Sequence, residues 1–180
     1  RLLLRSRSEP LYRHALRQRF GFFGVPSNEP TRLRPLWVHA VSLGETRAAA
    51  ALIHALREQH PGMTLLLTHG TATGWQAGAA LLQPRDIQAW LPVDTPAAMA
   101  HFLDHFSPVA GVLLETEIWP NLLRICHERG VKTVMINGRI STRSYPRYKL
   151  IRPFFRRVLA DVDRFCMQSE ESAHRLIDLG

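Results

Sequence analysis

From Leu36 to its last residue the chain repeats one unit: a short apolar run, a loop, then a stretch with helical spacing. The apolar runs are Leu36–Ser42, Met63–Thr68, Ile87–Leu91, Val109–Leu114, Lys132–Asn137 and Arg164–Gln168. Between them lie helical stretches over Thr46–Gln59, Trp75–Leu82, Pro96–Phe106, Pro120–Arg129 and Leu150–Ala160, with a last one opening after Ser169. Their ends carry chemical punctuation. His60-Pro61-Gly62 and Gly130 stop helices, and Asp94 or Thr95 caps the one that Pro96 begins. Pro96 and Pro120 sit in first turns, where a missing N–H costs nothing. Alternation repeated this often predicts an α/β fold, a Rossmann-like parallel sheet with helices on both faces, over residues 36–180. A run as continuously apolar as Met63–Thr68 suits a strand buried on both sides.

Residues 1–35 read differently, as a basic and aromatic N-terminal segment. Arg5, Arg7, Arg13, Arg17 and Arg19 alternate with Leu11, Tyr12, Leu16 and Phe20, and positions 10–20 predict a short helix beginning at Pro10. Gly21 to Gly24 breaks it, and Pro26, Asn28, Pro30 and Pro35 mark an irregular loop. Two readings stay open for this segment: contact with a membrane surface, or packing on the domain through its aromatic residues. No run reaches the roughly 18–20 apolar residues of a membrane span. Arg1 in place of Met, and an end at Gly180 just as a helix stops, are expected of a fragment of a longer protein. The only cysteines, Cys126 and Cys166, lie in apolar contexts without CxxC spacing. They predict neither a zinc site nor a disulfide, but two buried small side chains in a reducing compartment.

Ligands of parallel α/β sheets bind outside the carboxyl ends of the strands. That rule lines up Ser42–Glu45, Thr68–Thr73, Pro92–Thr95, Glu115–Asn121 and Asn137–Ser141 along one edge. Glu45 follows Gly44 at a helix start. Alone it serves equally as a residue that compensates the helix dipole. Glu115 and Glu117 follow the buried run Val109–Leu114, where carboxylates are costly unless used or paired. Glu115, nearest the strand, is expected to point into a cleft shared with Glu45, as base and partner. Glu117 is expected to pair with an arginine or to cap the helix at Pro120. Ser42, Gly44, Thr71, Asn121, Arg139 and Ser141 are the candidate substrate-binding residues on this edge. Thr71 lies in His69-Gly70-Thr71-Ala72-Thr73-Gly74, a small-residue loop able to present backbone N–H groups to an anion, or simply to cap a helix. It lacks the P-loop pattern, and no GxGxxG follows the first strand.

The formal net charge of +8 favours phosphate-bearing partners: nucleic acid, anionic lipid or a phosphorylated small molecule. Arg139, Arg143, Arg147, Lys149, Arg152, Arg156 and Arg157 interleave with Tyr145, Tyr148, Phe154 and Phe155. Such a stretch suits a lipid headgroup, an oligonucleotide or plain solvent. A nucleic-acid-binding domain leaves Glu45 and Glu115 idle and expects a recognised motif, and none is present.

Four pieces, taken together and in this order, carry a family resemblance: His39-Ala40-Val41-Ser42-Leu43-Gly44-Glu45-Thr46, Leu91-Pro92-Val93-Asp94, Glu115-Thr116-Glu117-Ile118-Trp119-Pro120-Asn121, and Asn137-Gly138-Arg139-Ile140-Ser141. They closely resemble the 3-deoxy-D-manno-octulosonic acid (Kdo) transferases, over nearly the whole chain from about Leu4 onward. The resemblance implies a GT-B glycosyltransferase of two Rossmann-like domains. This chain would be the N-terminal, acceptor-binding half, and the C-terminal donor-binding domain would be absent from it. It further implies transfer of Kdo from CMP-Kdo to a phosphorylated lipid A precursor (lipid IVA) in lipopolysaccharide synthesis. It implies as well that no metal or other cofactor is required, that nucleic acid is not a partner, and that the enzyme works on the anionic cytoplasmic face of the bacterial inner membrane, peripheral or anchored. By motif, Glu45 would be the general base and Glu115 a transition-state stabiliser. The alternative is another GT-B enzyme with a different nucleotide sugar.

Overall fold

A computed structural model describes residues 11, 14–24 and 34–180. It contains β1 (Leu36–His39), α1 (Leu43–Gln59), β2 (Leu65–His69), α2 (Ala72–Ala79), β3 (Ile87–Trp90), α3 (Pro96–Phe106), β4 (Ala110–Leu114), α4 (Pro120–Glu128), β5 (Lys132–Gly138), α5 (Tyr145–Leu150), α6 (Arg152–Ala160), β6 (Arg164–Met167) and α7 (Glu170–Leu179). All neighbouring strands run parallel, in the order β3-β2-β1-β4-β5-β6. The Rossmann-like α/β expectation therefore holds. The strand order reverses between β1 and β4, which places a crevice at the middle of the sheet.

The strands' period of two sorts the core into layers. Trp37, Leu66, Leu113 and Met135 point to one side, where they meet Met99 and Phe102 of α3 and Leu122 and Cys126 of α4. Val38, Leu65, Leu67 and Val112 point to the other, against Ala49 and Ile53 of α1. Gly111 is what lets the first layer close, since a Cβ there would sit 2.6 Å from the Trp37 ring. A third cluster joins Ile140 to Phe155 and Leu159 of α6 and Leu176 and Leu179 of α7.

Helix boundaries depart from expectation for local reasons. Ser42 and Thr71 accept backbone N–H groups three residues on, so α1 and α2 begin three residues before the apolar spacing becomes visible. The helix expected over Leu150–Ala160 begins two residues later as α6, with Pro153 in its first turn where a missing N–H costs nothing, and a short unexpected helix, α5, precedes it. Cys126 is buried as expected, and burial pushes its thiol up to about 12. Cys166 is not: it is exposed on the edge strand β6.

The helix start expected at Pro10 lies outside the described residues. Within them, a 3-10 turn over Leu16–Phe20 packs on the β3 end of the sheet. The Arg19 guanidinium lies 3.9 Å from the centre of the Trp90 ring, and the Trp90 backbone N–H donates to Gln18 Oε1 at 3.1 Å.

Candidate active site at the ends of β1 and β4

β1 delivers the first wall. After His39 the chain turns through Val41 into α1, and Ser42 caps that helix. Its Oγ accepts the Glu45 N–H at 3.4 Å and donates to Glu45 Oε1 at 2.8 Å, while Glu45 Oε2 accepts the Val41 N–H at 2.7 Å. This is a capping box, so the same side chain that completes the helix end is locked in one rotamer. Glu45 is only 6% exposed. Burial is the largest influence on its carboxyl and raises its pKa; the Ser42 and Val41 hydrogen bonds oppose this, and the Glu115 charge adds to it. Gly44, in the same first turn, is exposed, and the nearest group a Cβ there would meet is Ser42 Oγ at 3.9 Å. Space above the helix start is therefore open.

β4 delivers the second wall. Its last ladder bond runs from the Glu115 N–H to the Ile136 carbonyl at 2.9 Å. Glu115 then takes a φ of 59°, the left-handed region, and this swings the chain off the strand. Thr116 fastens the loop to its neighbour: its Oγ1 donates to the Arg139 carbonyl at 2.6 Å and accepts the Arg139 N–H at 2.8 Å. Among the described residues Glu117 neither pairs with an arginine nor caps α4. Its Oε2 accepts the Trp119 Nε1–H at 2.6 Å. Burial raises its pKa most, the Trp119 bond lowers it, and the charges of Glu45 and Glu115 raise it again. Glu117 thus joins the two acids expected at the crevice, with Glu45 and Glu115 both bearing on it.

The remaining candidates have varied placements. Asn121 faces the β3–α3 loop: its Nδ2 donates to the Asp94 carbonyl at 2.8 Å, while the Asp94 carboxylate accepts the N–H groups of Asn121 and Leu122 at 3.1 and 2.9 Å. Thr95 caps α3, and Asp94 caps α4. Thr71 Oγ1 donates to the Val41 carbonyl at 2.9 Å and accepts the Gly74 N–H at 3.2 Å, tying the β2–α2 loop against the Glu45 wall. Arg139 and Ser141 are exposed on the β5–α5 loop, and Ser141 Oγ bonds Ser144 Oγ at 2.9 Å.

Beneath the crevice lies a polar layer that sequence reasoning passed over. Trp37 Nε1–H donates to Thr68 Oγ1 at 2.8 Å, and the same hydroxyl is hydrogen-bonded to His39 Nδ1 at 2.9 Å. His39 is fully buried and its Nε2 meets no partner. Burial, then the neighbouring His69, lowers its pKa to about 3. Its ring stands edge-on to Trp119, centroids 6.4 Å apart. The signal in the sequence was His39 itself, a polar residue closing an apolar run.

Chemically, the crevice offers a buried, oriented carboxylate with a second carboxylate acting on it, beside open space. That arrangement suits proton abstraction from a hydroxyl group at a centre that gains positive charge. Among the described residues no group of three His, Cys, Asp or Glu side chains is arranged to hold a metal ion, and no helix is long and apolar enough to cross a membrane.

Comparison with known proteins addresses the same residues. Residues 14–180 match the family described as 3-Deoxy-D-manno-octulosonic-acid transferase (kdotransferase). The chain is 42% identical over 167 residues to the 3-deoxy-D-manno-octulosonic acid transferase of Bordetella pertussis, covering 90% of this chain and 38% of that protein. It is 31% identical over 177 residues to the protein of the same name from Haemophilus influenzae, covering 98% and 41%. A bifunctional glycosyltransferase/methyltransferase of Fusobacterium nucleatum is 31% identical over 150 residues, 81% of this chain and 23% of that one. The chain thus spans about two fifths of the length of the first two relatives. The matched span contains every member of the strand-end cluster, and the chain belongs to the 3-deoxy-D-manno-octulosonic acid transferase family of glycosyltransferases.

Proposed function

We propose that the full-length protein transfers Kdo from CMP-Kdo to a phosphorylated lipid A precursor, lipid IVA, in lipopolysaccharide synthesis, and that this chain is its acceptor-binding half. The observation that carries the reading is Glu45: buried, fixed by two hydrogen bonds, its pKa raised by burial, with Glu115 acting on it across the β1/β4 crevice. A carboxylate base works best with its pKa moved toward the operating pH, and burial moves it in that direction.

In the reaction, an acceptor hydroxyl oxygen attacks the anomeric carbon of the donor and its proton passes to Glu45. The new carbon–oxygen bond forms as the bond to the CMP phosphate breaks, and CMP leaves with that electron pair. Positive charge grows on the sugar in between, and the Glu115 carboxylate stabilises it. Gly44 leaves room for the acceptor beside the base. Ser42, Thr71 and Asn121 hold the walls, and Arg139 and Ser141 offer exposed groups to acceptor phosphates. The donor and its CMP group would be held by the C-terminal domain of the longer protein.

The lipid partner draws support from another surface. Leu150, Ile151 and Phe154 are exposed at the α5–α6 corner, with Leu150 at 83%, among exposed Arg147, Lys149, Arg152 and Arg156. Apolar side chains ringed by cations suit an anionic bilayer surface, here the cytoplasmic face of the inner membrane.

The test is direct. Full-length protein given lipid IVA and CMP-Kdo should add the mass of Kdo to the lipid. Transfer from a different nucleotide sugar, with none from CMP-Kdo, would overturn the donor assignment.

A further inference from the structure

His69, the last residue of β2, is fully buried and takes no part in the mechanism above. Its Nδ1 stands 3.0 Å from the Ala40 carbonyl oxygen and 3.4 Å from Thr46 Oγ1. A carbonyl oxygen only accepts, so Nδ1 carries the proton. Burial lowers the pKa of the ring to about 4, and above that pH the ring is neutral with Nε2 bare. The bare edge lies over Gly78 of α2, where a Cβ would collide with it. The ring thus fills the space between α2 and the turn that leads from β1 into α1.

The peptide joining Ala40 to Val41 connects this ring to Glu45. Its oxygen accepts from His69, and its N–H, on Val41, donates to Glu45 Oε2 at 2.7 Å. A bond accepted at one end of an amide polarises it and makes the N–H at the other end a stronger donor. Thr46 adds a second route: its Oγ1 donates to the Ser42 carbonyl at 2.8 Å, and Ser42 Oγ donates to Glu45 Oε1. The backbone of the β2–α2 loop grips a different peptide. The Gly70 and Thr71 N–H groups donate to the Val41 carbonyl at 3.1 and 2.9 Å, which fixes the turn without polarising the N–H that Glu45 accepts.

We propose that His69 is a positioning residue of the reaction centre: by bonding the Ala40 carbonyl it aims the Val41 N–H at the Glu45 carboxylate and strengthens that donation. The inference rests on Glu45 being the base. Donation to the ionised carboxylate opposes the rise in pKa that burial causes. Around His69, β1 brings His39, α1 Thr46, β3 Gln88, and α2 Trp75 with His14 behind it. The cation Arg19 donates to the adjacent Gly70 carbonyl at 3.3 Å, and Glu45 itself faces Glu115 and Glu117.

The experiment is the pH dependence of kcat and kcat/KM in the full-length enzyme, for wild type, His69→Leu, His69→Asn and Glu45→Gln. Leucine and asparagine are close in volume, and both vacate the edge over Gly78. Only the asparagine amide puts an N–H where Nδ1 stands. His69→Leu should lower kcat roughly ten-fold with little change in KM. Its acid limb in kcat/KM should move up by about half a pH unit. His69→Asn should return both toward wild type. Coincident profiles for wild type and His69→Leu would overturn the proposal. So would equal losses in the leucine and asparagine variants, because packing alone would then explain them. Nitrogen NMR of histidine-labelled wild type gives a check that no leucine variant has to fold for. The His69 signal, missing from His69→Asn, should be that of a neutral ring protonated on Nδ1, and protonation on Nε2 instead would overturn the proposal. Failure of the base assignment reads differently: Glu45→Gln itself would keep wild-type turnover.

Discussion

Asp94 caps a helix that begins on the far side of β4. Its carboxylate takes the N–H groups of Asn121 and Leu122, and the Asn121 amide returns a bond to the Asp94 carbonyl. The α4 N-terminus thus has its donors satisfied by a residue 27 positions earlier in the chain, and the Glu115–Trp119 loop is stretched between that anchor and the sheet.

Asp94→Ala should therefore lose about 1–2 kcal/mol of stability, as caps do, seen as a lower urea midpoint with an unchanged m-value. Turnover of the full-length enzyme should fall with it, because the loop carrying Glu115 loses one of its two moorings. A midpoint equal to wild type would show that water replaces the cap at no cost.

Glu45→Gln in the full-length enzyme should lower turnover by the ~10²–10⁴-fold typical of a lost general base. Far-ultraviolet circular dichroism should be unchanged, since a glutamine amide can still accept the Val41 N–H and donate to Ser42. Turnover within a few-fold of wild type would remove Glu45 from that role.

Glu117 has a stability signature separate from any effect on rate. Its folded pKa lies above the ordinary value of 4.5, so the folded state holds that proton more firmly than the unfolded chain does. That contribution is lost as pH rises above 4.5, so Glu117→Gln, which lacks it, should lose less stability over the same range than wild type. Thermal melts should show the variant more stable than wild type at pH 8 and the gap closing by pH 4. A constant gap at all pH values would point to packing rather than charge.

His39 acts with the opposite sign. Its pKa is 6.5 unfolded and about 3 folded, so between those values the unfolded chain binds the extra proton, and stability falls as pH drops below 6.5. Going from pH 7 to pH 5, this one group should cost about 2 kcal/mol. His39→Gln should lose correspondingly less over the same range in urea titrations, and equal losses would mean that the ring is hydrated in the folded protein.

The α5–α6 corner predicts where lipid contact concentrates. Replacing Leu150, Ile151 and Phe154 together by Ser should weaken binding of the full-length enzyme to vesicles containing phosphatidylglycerol, with little change in melting temperature, because all three are exposed. Unchanged vesicle binding would move the contact to another surface.

The sheet was readable in the chain because burial of the central strands on both faces leaves runs such as Met63–Thr68 with no polar side to misread. That Glu45 and Glu115 lie on the same edge was readable for a related reason: both follow carboxyl ends of neighbouring parallel strands. Glu117 was not readable. Three residues past the strand, its direction depends on the left-handed turn at Glu115 and on an indole N–H, and neither leaves a periodic trace. The Asp94 cap was equally hidden, because apolar spacing records which face of an element is buried and not which distant carboxylate closes its end.

The backbone at Glu115 sets two selective pressures against each other. A side-chain-bearing residue held in the left-handed region costs roughly 1–2 kcal/mol, and glycine there would relieve it. A library selected only for folded protein should drift toward glycine at this position. A library of the full-length protein selected for glycosyl transfer should keep the acid and tolerate the strain. How far the two outcomes diverge at this one codon would measure what the family gives up in stability to place a carboxylate at the crevice.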